Sequence, residues 1–71
     1  MSHTILLVED DANIRQMLSI ALGAEGYLCV EAASVREALS LFNQHRPDLV
    51  ILDLGLPDGE GSEVLKRIRE S

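Results

Sequence analysis

A chain of 71 residues is one domain at most, and a hydrophobic share of 46% sets it apart from disordered sequences. Aromatics make up 3%, so the core must be aliphatic, and a domain this short buries only roughly 60% of its unfolded surface. The net charge of −6, from 12 acidic and 6 basic residues, argues against direct contact with nucleic acid and suits either cation binding or an ordinary acidic surface.

Residues 4–8 (TILLV) are an apolar run of β-formers that meets Glu9, Asp10 and Asp11 at once, which predicts a buried strand ending in an acidic turn. The run is too short and too soon acidic for a signal peptide. Ile14, Met17, Leu18, Ala21 and Leu22 follow at helical spacing and predict the inner face of a first helix. Asp11 is its expected N-cap, and Gly23 or Gly26 its expected end. Residues 27–32 (YLCVEA) predict a second strand. It carries Cys29, the single cysteine, which reads as a packing residue in a reducing cytosol.

Ser34 opens S-V-R-E, a capping box with Glu37, ahead of a helix with Val35, Ala38, Leu39 and Phe42 on its apolar stripe. Pro47 stands where that helix has ended. Residues 48–53 (DLVILD) predict a third strand, residues 54–61 a Gly/Pro loop, and a third helix turns Val64, Leu65 and Ile68 inward. Lys66, Arg67 and Arg69 suit the negative end of that helix, and His3 and His45 read as solvated. No run approaches the roughly 18 apolar residues of a membrane span.

The order β-α-β-α-β-α predicts an α/β fold, a doubly wound parallel sheet with helices on both faces. With the first strand central, right-handed crossovers put a switch point at its carboxyl end. Glu9, Asp10 and Asp53 converge there. Carboxylates held close oppose one another's ionisation, and a divalent cation relieves that. An all-oxygen donor set suits Mg²⁺, and the backbone carbonyl of Gly55 is placed to join it. The competing reading makes these acids plain caps; it is preferred for Asp11, and the site reading for Glu9, Asp10 and Asp53. Neither G-x-G-x-x-G nor a P-loop follows the first strand, and position 55 is Gly where an aspartyl phosphatase carries a second Asp. The chain is therefore not read as an enzyme.

Two stretches, ILLVEDDANIR (5–15) and PDLVILDLGLPDGEG (47–61), resemble the receiver domain of bacterial two-component response regulators. The LDLGLPDG form is similar to the potassium-responsive branch of the winged-helix class. The resemblance covers residues 1–71, as the N-terminal part of one receiver domain without a second domain. It implies a flavodoxin-like sheet of strand order 2-1-3, truncated to three βα units. It also implies that Asp53 is the phosphoacceptor, taking a phosphoryl group from a sensor histidine kinase in the cytoplasm. Glu9, Asp10, Asp53 and the Gly55 carbonyl would hold Mg²⁺. The family also uses a Ser/Thr and a Lys from its fourth and fifth units. Both lie beyond Ser71, so the isolated chain is expected to be impaired, and Lys66 is not that lysine. The third strand is then an uncovered edge, and the chain is expected either to be a fragment of a longer regulator or to complete its sheet by self-association there. The alternative is a (βα)3 oligomerisation module without phosphotransfer.

Overall fold

The computed structural model describes residues 3–52, 55–56 and 59–70. The central strand β1 (Thr4–Val8) pairs in parallel with β2 (Leu28–Ala32) on one side and β3 (Leu49–Leu52) on the other, giving the order β2-β1-β3. The connecting helices are α1 (Ala12–Ala24) and α2 (Val35–His45). The apolar run of β1 belongs at the centre because it is covered on both faces: Ile5, Leu6, Leu7 and Val8 are at most 2% exposed.

The register divides the sheet into two faces. Leu6 is opposite Val30 and Val50, and Val8 opposite Ala32 and Leu52. These even-numbered positions point to α2 and to the last helix, where Leu6, Val8, Ala32, Val35, Ala38 and Val64 form the buried core. Ile5 and Leu7 point to the other face, with Cys29, Glu31, Leu49 and Ile51. α1 packs there on β1 and β2.

Local chemistry fixes the helix ends. Asp11 caps α1, its carboxylate accepting the Asn13 and Ile14 N–H groups. The helix stops at Ala24, and Gly26, at φ 93°, takes the left-handed turn that follows. Ser34 caps α2 through the Glu37 N–H. The Glu37 carboxylate returns to the Ala33 N–H, one residue earlier than a strict capping box requires. Arg46 ends α2 in the left-handed conformation (φ 47°), its N–H donating to the Phe42 carbonyl and its guanidinium 5.5 Å from the Phe42 ring. A non-glycine residue there costs roughly 1–2 kcal/mol, which a cation–π contact of about 0.5–1 kcal/mol only partly offsets.

Several expectations need correction. Residues 54–61 were expected to be a loop; β4 (Gly55–Leu56) instead pairs with β5 (Gly59–Glu60) in a short antiparallel hairpin ahead of α3 (Gly61–Glu70). Tyr27 and Asp48 lie outside the strands. Asp48 clamps the start of β1 instead: its N–H donates to the Thr4 carbonyl and its carboxylate accepts the Thr4 N–H, both at 2.8 Å. His3 is mostly solvated as expected, though its ring lies 3.7 Å from that carboxylate.

The largest correction concerns α1. Ile14 and Met17 were expected to face inward but are 42% and 63% exposed. The half-buried positions are Arg15, Leu18, Ser19 and Leu22. The helix is turned so that Arg15 meets Glu31 and the Ser19 carbonyl meets the Cys29 thiol, both partners being on β2. Ile14 and Met17 therefore lie on the flank away from β2. Leu65 of α3, also expected inside, is 41% exposed. Thermal denaturation should separate the two classes. Leu6→Ala is expected to cost about 2–5 kcal/mol, and Met17→Gln to stay within about 0.5 kcal/mol of the parent.

Candidate functional site

The acidic turn begins where the sheet ends. Val8 is the last residue of β1, opposite Ala32 and Leu52. The Glu9 N–H still donates to the Ala32 carbonyl at 3.0 Å, so Glu9 extends the ladder by one hydrogen bond and is half-buried. Asp10 is exposed and Asp11 opens α1. Three consecutive acids thus occupy three environments: the sheet edge, the turn and the helix cap. Asp11 is committed to its cap, as expected, and its own carbonyl accepts the Arg15 N–H at 2.9 Å.

Glu9 and Asp10 stand at the carboxyl edge of the central strand, beside the carboxyl end of β3. That is the switch point of an open parallel sheet, with α1 and α2 on opposite faces. Asp53 follows Leu52 in sequence and lies outside the described residues. Gly55 opens β4, opposite Glu60. Among the described residues, no group of three or more His, Cys, Asp or Glu is arranged to hold a metal ion. The donor chemistry present is two carboxylates adjacent in sequence, that of half-buried Glu9 and that of exposed Asp10. That fits a hard divalent cation which keeps most of its waters.

One residue of this site had not been singled out in the sequence. Arg15 donates from Nη1 to the Glu9 carbonyl at 2.9 Å and from Nε to Glu31 at 3.3 Å, with 22% of its side chain exposed. The available signal was a charged residue within an amphipathic helix, one place after Ile14. The basic residues Arg67 and Arg69 sit in the last turn of α3, where their charge suits the helix end. Among the described residues, no helix is long and apolar enough to cross a membrane.

Comparison with known proteins bears on this geometry. The family model described as the response regulator receiver domain matches residues 5–71. The chain is 41% identical over 69 residues to the phosphate regulon transcriptional regulatory protein PhoB of Pseudomonas aeruginosa, covering 97% of this chain and 30% of that protein. It is 42% identical over 66 residues to the KDP operon transcriptional regulatory protein KdpE of Escherichia coli, covering 93% of this chain and 29% of that protein. Among solved structures, the response regulator TrrA of Thermotoga maritima, in complex with Mg²⁺-BeF, superposes with a TM-score of 0.91 at 43% identity. That match covers 99% of this chain and 60% of the other. The chain thus spans less than a third of these two curated relatives.

The division of labour among the acids is open to test by thermal denaturation without divalent cations. Asp11→Ala should lose about 1 kcal/mol of stability with its cap. Asp10→Asn should stay within about 0.5 kcal/mol of the parent, because an exposed turn carboxylate anchors nothing.

Proposed function

The chain belongs to the response regulator receiver domain family, and on that premise we propose that Asp53 is the phosphoacceptor of a two-component phosphorelay. Glu9, Asp10, Asp53 and the Gly55 carbonyl hold Mg²⁺ in this reading. The observation that carries it is the register: Val8 lies opposite Leu52 in neighbouring parallel strands. Each is followed in sequence by an acidic residue, Glu9 and Asp53. Neighbouring strands lie about 4.8 Å apart, close enough for one cation to serve both. The solved relative in complex with Mg²⁺-BeF supports the same cation for this chain.

The donor is the phosphohistidine of a sensor kinase. A carboxylate oxygen of Asp53 attacks phosphorus, the O–P bond forms as the P–N bond breaks, and the released imidazole takes a proton from water. Mg²⁺, when bound, neutralises charge on the transferring phosphoryl group. Glu9 and Asp10 would hold the cation, and the buried strand before them keeps their backbone from yielding. The product is an acyl phosphate, whose added negative charge is the signal that a longer regulator reads. A cytoplasmic kinase and an output in transcription fit this reading, given that PhoB and KdpE are transcriptional regulatory proteins. The chain itself acts as a signalling module and not as a turnover enzyme.

A second reading rests on a different observation. Among the described residues, no strand pairs with the outer edge of β3, and Leu49 on it is 54% exposed. An unpaired apolar edge recruits another strand. A two-fold pairing of β3 with β3 gives a six-stranded sheet in a dimer, the arrangement of a structural module.

Two measurements decide between the readings. Incubation with Mg²⁺ and acetyl phosphate, followed by intact mass, should show one added phosphoryl group that is lost in Asp53→Asn and with chelator. A well-folded oligomer that takes up no phosphoryl group would favour the second reading alone. Sedimentation velocity at micromolar concentration should show a dimer for the second reading, and a compact monomer removes it.

A further inference from the structure

We propose that Arg15 is the positioning residue of the acidic pair, setting the direction in which Asp10 and Glu9 present their carboxylates to the cation. The inference rests on reading Glu9 and Asp10 as a cation site. Its basis is the way the backbone is held on either side of Asp10.

Both polar groups of the Glu9 backbone are engaged. Its N–H donates to the Ala32 carbonyl at 3.0 Å, and its carbonyl accepts from Arg15 Nη1 at 2.9 Å. A peptide group is planar, so fixing the Glu9 carbonyl also fixes the N–H and Cα of Asp10. On the far side, Asp11 is locked as the cap of α1 by two hydrogen bonds to its carboxylate. Asp10 is thus suspended between two pins. Removing the upstream pin lets the Glu9–Asp10 peptide rotate, and the Asp10 carboxylate swings with it.

Arg15 is itself held. Its Nε meets Glu31 at 3.3 Å, and Glu31 sits on β2 opposite Leu7. The planar guanidinium therefore links α1, the end of β1 and β2 through two different nitrogens. A lysine presents one compact ammonium and lacks such a fork. As an ion pair the contact is weak, because Glu31 is 42% exposed and exposed pairs contribute little. Its effect lies in orientation. The same logic governs groups that hold metal ligands from behind, whose loss typically weakens metal binding by about 10–100-fold.

The sign of the effect separates this role from simple electrostatics. Arg15 is a cation near a cation site, so removing its charge should tighten Mg²⁺ binding by Coulomb's law. Loss of positioning does the reverse. The experiment is calorimetric titration of Mg²⁺ into the 71-residue chain and its variants, with circular dichroism to follow helix content. Asp10→Asn should abolish binding. Arg15→Gln should bind about tenfold more weakly at unchanged helix content, and Arg15→Lys should fall between that variant and the parent. In amide NMR spectra the Asp10 resonance should move in both Arg15 variants. Equal or tighter binding by Arg15→Gln, with Asp10→Asn still abolishing it, would overturn the role of Arg15 and leave the acid pair standing. If the parent chain binds no Mg²⁺, both readings fall. If Arg15→Gln does not fold, Arg15→Lys decides by the same criterion, since it keeps the charge and the aliphatic stem.

Discussion

Burial of β1 on both faces is the constraint from which the rest follows. Residues Ile5 to Val8 lie between α1 on one side and the α2–α3 core on the other. A carboxylate inside such a strand would cost several kcal/mol even after relaxation, on the order of the effective penalty for a buried ion. Charge must therefore wait until the strand leaves the sheet. Parallel pairing sends the carboxyl ends of all three strands to one edge, so the first permissible acid after β1 emerges beside the end of β3. The site is where it is because the core allows it nowhere else.

Much of this was legible in the sequence, and the failures share a cause. The parallel sheet followed from the alternation of elements, with its order 2-1-3 taken from the family resemblance, and the caps at Asp11 and Ser34 from side-chain chemistry acting over two or three residues. Both depend on near neighbours. What periodicity cannot give is the rotation of a helix against the surface it covers. The spacing of Ile14, Met17 and Leu18 is compatible with several rotations, and the contacts of Arg15 and Ser19 with β2 selected one that leaves Ile14 and Met17 in water. Arg15 escaped notice for a related reason. Its partner at the site is a backbone carbonyl, which no residue identity announces. The placement of Glu9 and Asp10 at the end of the buried central strand was legible because two acids directly follow its apolar run. Asp53 rests on the sequence pattern, since it lies outside the described residues.

The two faces of the sheet are not covered alike. The even-numbered face carries α2 and α3, which also pack on each other, and holds the buried core. The other face carries α1, placed over β1 and β2, and Leu49 at the start of β3 remains exposed on it. Ile14 and Met17 lie on the flank of α1 away from β2. Exposed apolar residues also occur elsewhere, among them Ile20, Leu28 at the start of β2 and Leu65 on α3, as on an ordinary protein surface.

The three consecutive acids show how one residue type takes three roles without any change in chemistry. Glu9 keeps a ladder hydrogen bond and so belongs to the sheet; Asp11 accepts two helix N–H groups and so belongs to α1. Asp10 belongs to neither. A residue handed from strand to helix has its backbone fixed at both ends while its side chain stays uncommitted, and rigid backbone with a free carboxylate is what cation binding requires. A longer connection between β1 and α1 would leave Asp10 floppy. A shorter one would draw it into the ladder or the cap. The tight turn also brings the first turn of α1 back over the end of β1, which places Arg15 within reach of the Glu9 carbonyl. Connection length, helix cap and guanidinium contact are therefore one device, and the direction of Asp10 depends on all three.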